Sequence, residues 1–281
     1  MIIDGKKTAA ELREQLKKKV TELKSTYNKI PGLTVILVGE DPASKIYVKN
    51  KEKFAKEVGM NSEVIRYPAD LEEKELLNKI KELNKNDKVS GILVQLPLPK
   101  HIDKRKVIET IDHGKDVDGF HPINVGNLSI GYDSSIPCTP LGCSLLLKKV
   151  EKNLSGKHAV VIGRSNLNGK PMTQLLLKEN CTVTITHSKT KDLKAECLRA
   201  DIIIAAVGIP KLVKGDWVKK GAIVIDVGIN KTNLGIVGDV DFDEVSKVAK
   251  AITPVPGGVG PMTIACLLGN TVECFKKAHY K

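Results

Sequence analysis

The chain has 281 residues, a formal net charge of +12, 41% hydrophobic residues and 28% charged residues. This length leaves room for two domains with sizeable cores, and this composition is typical of a globular protein rather than a disordered or fibrous one. No run of eighteen apolar residues occurs, so we expect no transmembrane helix. The stretch "MIIDGKKTAAELREQL" lacks the apolar core of a signal peptide, and a cytoplasmic location is predicted.

The positive charge does not by itself indicate a nucleic-acid-binding protein. Lysines are mixed with glutamates, as in "EEKELLNKIKELNKNDK", and aromatic residues make up only 4% of the chain. We therefore expect most of this charge to lie on solvated faces, with no nucleic-acid partner. The six cysteines form no CxxC pair and the histidines no HxxxH spacing, so reduced core cysteines and no metal site are predicted.

Apolar runs alternate with helical patterns along the whole chain. The predicted strands cover 33–39, 62–68, 91–97, 158–163, 182–188, 201–208 and 222–230, and the predicted helices cover 6–27, 43–58, 72–84, 140–151, 170–179 and 261–276. Continuous Val/Ile-rich strands separated by helices indicate an α/β fold with parallel sheets. The turn-rich stretch 131–142 places a domain boundary nearby, and the final helix is expected to return to the first domain.

The segment "SKIYVKNKEKFAKEVG", residues 44–59, carries five lysines in sixteen positions. On a helix of about 100° per residue with Tyr47 as the zero, Lys51 falls on the same face as Ser44, Phe54, Ala55 and Val58. The other lysines, Lys45, Lys49, Lys53 and Lys56, lie outside that stripe. Lys51 is therefore either a lysine at the edge of a core stripe or a lysine that faces a ligand.

A glycine turn connects a strand to a helix in "HAVVIGRSNLNGKPMTQLLL", residues 158–177. Its G-x5-G spacing meets only half of the dinucleotide-binding fingerprint, so a phosphate site and a plain strand–helix turn both stay open. The next strand ends in "THSKT", without the acid that holds the ribose of NAD. Arg164, His187, Ser188 and Lys189 offer donors for a 2′-phosphate instead, which favours NADP, although Ser188 could also cap the following helix.

Polar residues follow the apolar strands of the first domain. Gln95 closes "GILVQ", and Asp116 and Asp118 lie in the Gly-bounded loop "GKDVDGF". Ligands of open α/β sheets gather at the carboxyl ends of strands, although turn chemistry alone could also explain these residues. The loop "TPVPGGVGPMT", residues 253–263, combines three prolines with three glycines, and such a rigid loop lets its backbone approach a flat ligand closely.

These motifs resemble, in order and over essentially the full length, those of the bifunctional methylenetetrahydrofolate dehydrogenase/methenyltetrahydrofolate cyclohydrolase family. The matching stretches are "SKIYVKNKEKFAKEVG", "GILVQLPLP", "KDVDGFHPINVG", "PCTPLG", "VVIGRSNLNGKPM", "HSKT", "GDVDF" and "TPVPGGVGPMTIA". One departure is Asn168, where the family usually has an apolar residue beside the second glycine. Such a change could adjust the affinity for the cofactor without removing the site.

The resemblance implies an NADP-dependent oxidation of methylenetetrahydrofolate, then hydrolysis to 10-formyltetrahydrofolate, in a cleft between two domains. It implies that Tyr47 stacks on the folate, that Lys51 catalyses hydrolysis, that Gln95 tunes this lysine and that Asp118 holds the pterin. The remaining implied substrate residues are Gly257, Gly258 and Pro261, and the implied cofactor residues are Gly163, Arg164, Ser165, Ser188, Gly208, Ile229 and Thr263.

The resemblance also predicts how the chain is divided and what it binds. Residues 1–138 with the C-terminal helix 262–281 are expected to form a folate-binding catalytic domain, and residues 139–261 a Rossmann-like NADP-binding domain. The expected partners are tetrahydrofolate substrates, including polyglutamylated forms, and a second copy of the chain in a homodimer, with no membrane.

Three alternatives stay open at this point. The chain could be a dehydrogenase without cyclohydrolase activity, although Lys51 and Gln95 argue against that. It could be an NADP-linked reductase built like shikimate dehydrogenase, but "PVPGGVGP" and "VQLPLP" would then have no explanation. It could be a non-catalytic or nucleic-acid-binding relative, which only the net charge favours.

Overall fold

The computed structural model describes residues 1–233 and 235–279. The chain divides into two compact units: a first unit of residues 10–138 and the chain from Ile264 onward, and a second unit of residues 1–9 and 139–263. The predicted division placed residues 1–9 with the first domain, whereas the compact division places them in the second unit. They pair with the edge of the second unit's sheet, since the Ile3 amide donates to Ile252 O at 2.8 Å and the Ile252 amide donates to Met1 O at 3.0 Å.

The chain alternates strands and helices as predicted. The strands are β1 Gly32–Val38, β2 Asn61–Tyr67, β3 Gly91–Val94, β4 His158–Ile162, β5 Thr182–Thr186, β6 Ile202–Ala205, β7 Ile223–Asp226, β8 Asn230–Thr232, β9 Gly235–Val237 and β10 Ala251–Ile252. The helices are α1 Gly5–Tyr27, α2 Pro42–Glu57, α3 Glu73–Lys85, α4 Lys104–Thr110, α5 Pro122–Ile130, α6 Cys138–Val150, α7 Gly169–Lys178, α8 Leu193–Arg199, α9 Phe242–Val245 and α10 Val259–His279, and a short 3₁₀ helix covers Gly215–Trp217.

The first unit contains a parallel sheet in the order β2-β1-β3. Ile92 of β3 also pairs in parallel with Asp116, so the Asp116–Asp118 loop continues the sheet beyond β3. Every residue of β1 and β3 is buried, as expected for strands covered on both faces. A cluster that includes Ile36, Leu76, Ile80 and Ile92 packs α3 against one face of this sheet.

The second unit contains a parallel sheet in the order β10-β7-β6-β4-β5. The chain runs from β4 outward to β5 and then returns to the other side of β4 to form β6. The direction of winding therefore reverses between β4 and β6, and in open α/β sheets ligands bind at the carboxyl ends of the strands at such a switch point. The buried strand residues of this core include Val160, Ile162, Ile203 and Val224.

Sequence patterning missed the shorter elements. The sequence did not predict helices α4, α5 and α8 or the antiparallel β8–β9 pair. The strand predicted over 201–208 is shorter in the structure and ends at Ala205. The three helices have seven, nine and seven residues, which is too short for a clear helical apolar period. Among the helices of the described residues, none is both long and apolar enough to cross a bilayer.

Candidate active site

Helix α2 presents one lysine to the protein interior. Pro42 begins the helix, and the side chain of Asp41 caps it by accepting a hydrogen bond from the Ser44 amide at 2.7 Å. The buried residues of α2 are Ser44, Val48, Lys51 and Ala55, and Lys51 is only 8% exposed. Lys45, Lys49, Lys53 and Lys56 are all exposed, as the helical wheel predicts.

Tyr47 lies at the margin of this buried face rather than at its centre. Tyr47 is 37% exposed. The buried stripe is centred on Val48 and Lys51, which lie about 40–100° further round the helix. An exposed aromatic ring one turn before Lys51 is available to a ligand, which suits stacking on a flat heterocycle.

Lys51 and Gln95 form the polar contact at the centre of the candidate site. The Lys51 ammonium donates to Gln95 Oε1 at 2.8 Å, and Gln95 Nε2 donates to Leu96 O at 2.6 Å, which fixes the orientation of the amide. Burial lowers the pKa of Lys51 from its ordinary value, and the charge of Asp118 opposes this shift. Among the described residues, Gln95 alone accepts a hydrogen bond from this ammonium, which leaves two Nζ–H groups for a ligand.

Asp118 lies near the Lys51 charge, but none of the described residues donates a hydrogen bond to its carboxylate. Burial raises the pKa of Asp118 to about 6; the Lys51 charge lowers it, and the Asp116 charge adds to the rise. A half-buried carboxylate without donors, beside a buried ammonium, is the pattern typical of a functional site.

Asp116, which the sequence linked to the same loop, plays a different part. Its buried carboxylate accepts hydrogen bonds from the Gly119 amide at 3.1 Å, the His121 amide at 2.8 Å and Asn124 Nδ2 at 2.9 Å. These bonds hold the loop in which Asp118 lies. The sequence therefore placed both acids in one loop but did not separate the loop-forming Asp116 from the open Asp118.

Sequence reasoning missed two further groups behind Asp118. Asn270 Nδ2 donates to Val117 O and to Ile136 O, each at 2.8 Å, and the Cys138 thiol donates to Val117 O at 3.3 Å. Burial raises the pKa of Cys138 well above its ordinary value, so the thiol keeps its proton. Asn270 lies far along the chain in α10, and its only sequence signal was a polar residue in an apolar helix.

In the second unit, the glycine turn lies at the switch point of the sheet. Gly163 adopts φ +114°, and a Cβ there would overlap the Ala206 carbonyl oxygen that follows β6. Arg164 and Ser165 are exposed in the turn, and α7 begins just beyond them at Gly169. The Asn168 amide donates to Ser165 Oγ at 3.1 Å, which holds the turn closed. The turn and the positive end of α7 fit a dinucleotide phosphate.

The loop after β5 also fits NADP. Residues 187–190 carry no acid; Ser188 and Lys189 are exposed, and the Lys189 amide donates to His187 Nδ1. The alternative helix-capping role of Ser188 is wrong, because α8 begins at Leu193 and Asp192 caps it, accepting from the Ala195 amide at 2.9 Å. Ser188 is thus left facing solvent.

The remaining predicted residues also belong to the second unit. Gly208 and Ile229 are exposed and follow β6 and β7, and the Thr263 hydroxyl lies 3.0 Å from that of Thr139. Gly257 and Gly258 lie in the Gly/Pro loop, where Gly257 O accepts from the Lys6 amide at 3.1 Å, and Pro261 lies in the first turn of α10. Within the described parts of the chain, no three His, Cys, Asp or Glu residues are grouped to hold a metal ion, and the six cysteines are buried without forming a disulfide.

The comparisons with known proteins agree with this geometry. The family model described as "Tetrahydrofolate dehydrogenase/cyclohydrolase, catalytic domain" matches residues 3–118, and "Tetrahydrofolate dehydrogenase/cyclohydrolase, NAD(P)-binding domain" matches residues 137–279. The chain belongs to the tetrahydrofolate dehydrogenase/cyclohydrolase family. The second match extends through α10, which the compact division assigns from Ile264 onward to the first unit.

Relatives of the family match the whole chain. The "Bifunctional protein FolD" of Pelagibacter ubique is 78% identical over 99% of both chains. A crystal structure of bifunctional FolD from Campylobacter jejuni has a TM-score of 0.97 at 52% identity and covers 99% of both chains. A Trypanosoma brucei enzyme complexed with NADP cofactor and inhibitor has a TM-score of 0.95 at 38% identity, covering 100% of this chain and 99% of that one.

Family membership confirms the predicted two-domain α/β fold, the bifunctional dehydrogenase/cyclohydrolase function and NADP as cofactor. Tetrahydrofolates are the substrates of the family. The alternatives of a shikimate dehydrogenase-like reductase and of a nucleic-acid-binding relative lose their basis, because both halves of the chain match this one family.

Proposed function

We propose that Lys51 carries the proton transfer of the hydrolytic step in this NADP-dependent enzyme. The observation that carries this proposal is the buried Lys51 ammonium on Gln95, with its lowered pKa and its unused N–H groups. A lysine serves in proton transfer near neutral pH only when its surroundings lower its pKa, and burial supplies that here. The cationic methenyl substrate would shift the pKa in the same direction.

The oxidative step makes smaller demands on side-chain chemistry. When bound, NADP⁺ supplies the hydride acceptor for the methylene carbon, which leaves a resonance-stabilised cation. This step chiefly needs alignment of the donor and acceptor atoms. We propose that Tyr47 stacks on the folate and that Asp118 holds the pterin, because the exposed ring and the donor-free carboxylate are both open to a ligand. Gly257 and Gly258 of the Gly/Pro loop and Pro261 in the first turn of α10 are proposed to line the substrate.

We propose that the cofactor lies at the carboxyl ends of β4, β5 and β6. Arg164 and Ser188 would hold the 2′-phosphate. Gly163 and Ser165 lie in the same turn as Arg164 and would also contact the cofactor. The other proposed cofactor residues are Gly208, Ile229 and Thr263. The support is the exposed guanidinium, the exposed hydroxyl and the absence of an acid in residues 187–190. A guanidinium binds phosphate through paired hydrogen bonds, which favours Arg164 as the anchor.

We also propose a homodimer in the cytoplasm that accepts polyglutamylated folates. Strand β5 is an edge of its sheet, and Ile185 on it is 37% exposed, so this edge is open to pairing or packing with a second copy. Six cysteines without a disulfide fit a reducing compartment. The net charge of +12 would attract a polyanionic glutamate tail.

The experiment that tests the function is a spectrophotometric assay of the purified chain. We expect methylenetetrahydrofolate to be oxidised with a clear kinetic preference for NADP⁺ over NAD⁺, and methenyltetrahydrofolate to be hydrolysed without any cofactor. Preference for NAD⁺ would contradict the assignment of Arg164 and Ser188. Oxidation without hydrolysis would contradict the role of Lys51. Light scattering of the same sample should give twice the mass of the 30.6 kDa chain.

A further inference from the structure

The two most deeply buried carboxylates in the described part of the second unit have no role in the proposed site. Asp239 is 0% exposed and Asp226 is 3% exposed. Asp239 belongs to the "GDVDF" stretch, which the resemblance matched without giving it a role. A buried carboxylate costs free energy unless donors surround it, so its partners indicate what it is for.

Asp239 binds the segment that follows β6. Its Oδ2 accepts hydrogen bonds from the Val207 amide at 2.7 Å and from the Gly208 amide at 2.9 Å, and its Oδ1 accepts from Asn230 Nδ2 at 2.9 Å. Gly208 adopts φ +68°, so the chain turns at the point where the carboxylate holds it. Both oxygens of Asp239 are therefore committed to fixing one turn and one strand end.

That turn lies beside the proposed cofactor site. The Ala206 carbonyl, immediately before Val207, is the group that approaches Gly163 so closely that a Cβ would overlap it. The segment 206–208 is thus one wall of the switch point between β4 and β6. A shift of Val207 and Gly208 would change the space that the glycine turn leaves for a dinucleotide.

Asp226 holds Asp239 in turn. Asp226 Oδ1 accepts from the Asp239 amide at 2.9 Å and from the Gly228 amide at 3.0 Å, and its Oδ2 accepts from the Val240 amide at 2.9 Å. The packing around both acids is tight, since a Cβ at Gly238 would overlap the Asp226 carboxylate and one at Gly228 would overlap that of Asp239. Asp239 therefore has little freedom to move.

We propose that Asp239 is a positioning residue for the NADP-dependent step, acting through the Val207 and Gly208 amides that shape the cofactor site. The inference rests on the proposed placement of NADP at the β4–β6 edge. The two partly buried amides need an acceptor, and a carboxylate satisfies both while it fixes their direction. Asp239 touches neither substrate nor cofactor in this role.

The two activities of the enzyme provide the test, because hydrolysis needs no NADP. In Asp239→Asn, one carboxylate oxygen is replaced by an NH2 group. This group cannot accept a hydrogen bond, and it faces N–H donors where the oxygen accepted from them. We expect the KM and Kd for NADP⁺ to rise about tenfold, with kcat/KM for cofactor-free hydrolysis within about twofold of wild type. The matched control is Asp241→Asn, two residues further on, whose carboxylate pairs with Lys214 at 3.1 Å; it should leave the KM for NADP⁺ unchanged.

Asn230→Ala is the second variant, since it keeps the carboxylate but removes its third donor. We expect a smaller rise in the Kd for NADP⁺, about threefold, again without a change in hydrolysis, and this variant decides the matter if Asp239→Asn does not fold. An unchanged Kd for NADP⁺ in both variants, or an equal loss of both activities in each soluble variant, overturns the inference. Wild-type protein without saturable NADP⁺ binding would instead overturn the proposed cofactor site.

Discussion

The Lys51 site of the first unit and the Asp226–Asp239 pair of the second both bury charge, but they satisfy it differently. Asp226 and Asp239 together accept six hydrogen bonds within their own unit. Lys51 makes one hydrogen bond, and Asp118 accepts none from the described residues. Unused hydrogen-bonding capacity indicates a place for a ligand, whereas complete satisfaction indicates architecture. The protein thus separates the charges that stay open to a ligand from the charges that hold its shape.

The largest expected effect comes from removing the Lys51 charge. Lys51→Ala should lower the rate of methenyltetrahydrofolate hydrolysis by about 10²–10⁴-fold, the usual contribution of a positioned acid or base, and should weaken folate binding far less. Lys49→Ala, an exposed lysine on the same helix, is the control and should hydrolyse normally. Hydrolysis by Lys51→Ala within a few-fold of wild type would remove the distinction between the two kinds of buried charge.

We expect Asp118 to make the stability of the protein depend on pH. Its pKa of about 6 in the fold exceeds the ordinary value of 3.8, so the folded state favours its protonated form. The associated stability is present below about pH 4 and is lost as the pH rises through about 6. Asp118→Asn should therefore gain stability over wild type by up to about 3 kcal/mol as the pH rises across that window.

Thermal midpoints of both proteins, measured from about pH 4 to about pH 7.5, check this expectation. Asp70→Asn, a substitution of an exposed aspartate, is the control and should track wild type. A difference between Asp118→Asn and wild type that stays constant over this range would contradict the raised pKa of Asp118.

Substitution of Arg164 tests the proposed cofactor site of the second unit. Arg164→Gln should raise the KM for NADP⁺ about tenfold or more, because a charge-assisted pair with phosphate is lost, and should leave the KM for NAD⁺ nearly unchanged. Lys178→Gln, at the other end of α7, should change neither constant. Equal rises for NADP⁺ and NAD⁺ would place Arg164 away from the 2′-phosphate.

The smallest effects distinguish Ser188 from Asp192. Asp192→Ala removes the cap of α8 and should lower stability by about 0.5–2 kcal/mol while the KM for NADP⁺ stays the same. Ser188→Ala should do the opposite, raising the KM for NADP⁺ a few-fold without changing the thermal midpoint. The reverse pattern would contradict the assignment of Ser188 to the 2′-phosphate.

Local patterns in the sequence are sufficient for the long elements and for one decisive side chain. The apolar period of residues 44–59 separates Lys51 from the other lysines of its helix, and the Val/Ile runs locate the strands of both sheets. The end of β5 shows no acid, which is a local signal for NADP. These features depend on residues close together in sequence, where period and composition are informative.

What the sequence could not show depends on contacts between distant residues. Asn270 reaches Val117 across 153 positions, and Asp239 reaches Val207 across 32. Asp116 and Asp118 are the same residue type two positions apart, and only their hydrogen bonds distinguish them. The pairing of Met1 and Ile3 with Ile252 also joins distant residues and leaves no local signature in the sequence.

The most direct measurement of the central claim is the pKa of Lys51 itself. Carbon-13 labelling of lysine side chains, with the Lys51 signal assigned by its absence from Lys51→Ala, allows titration of that one ammonium by NMR. We predict a pKa below the ordinary value of 10.5, because burial disfavours the charged form. A pKa at or above 10.5 would contradict the account, since Lys51 would then be a structural cation like the lysines on the surface.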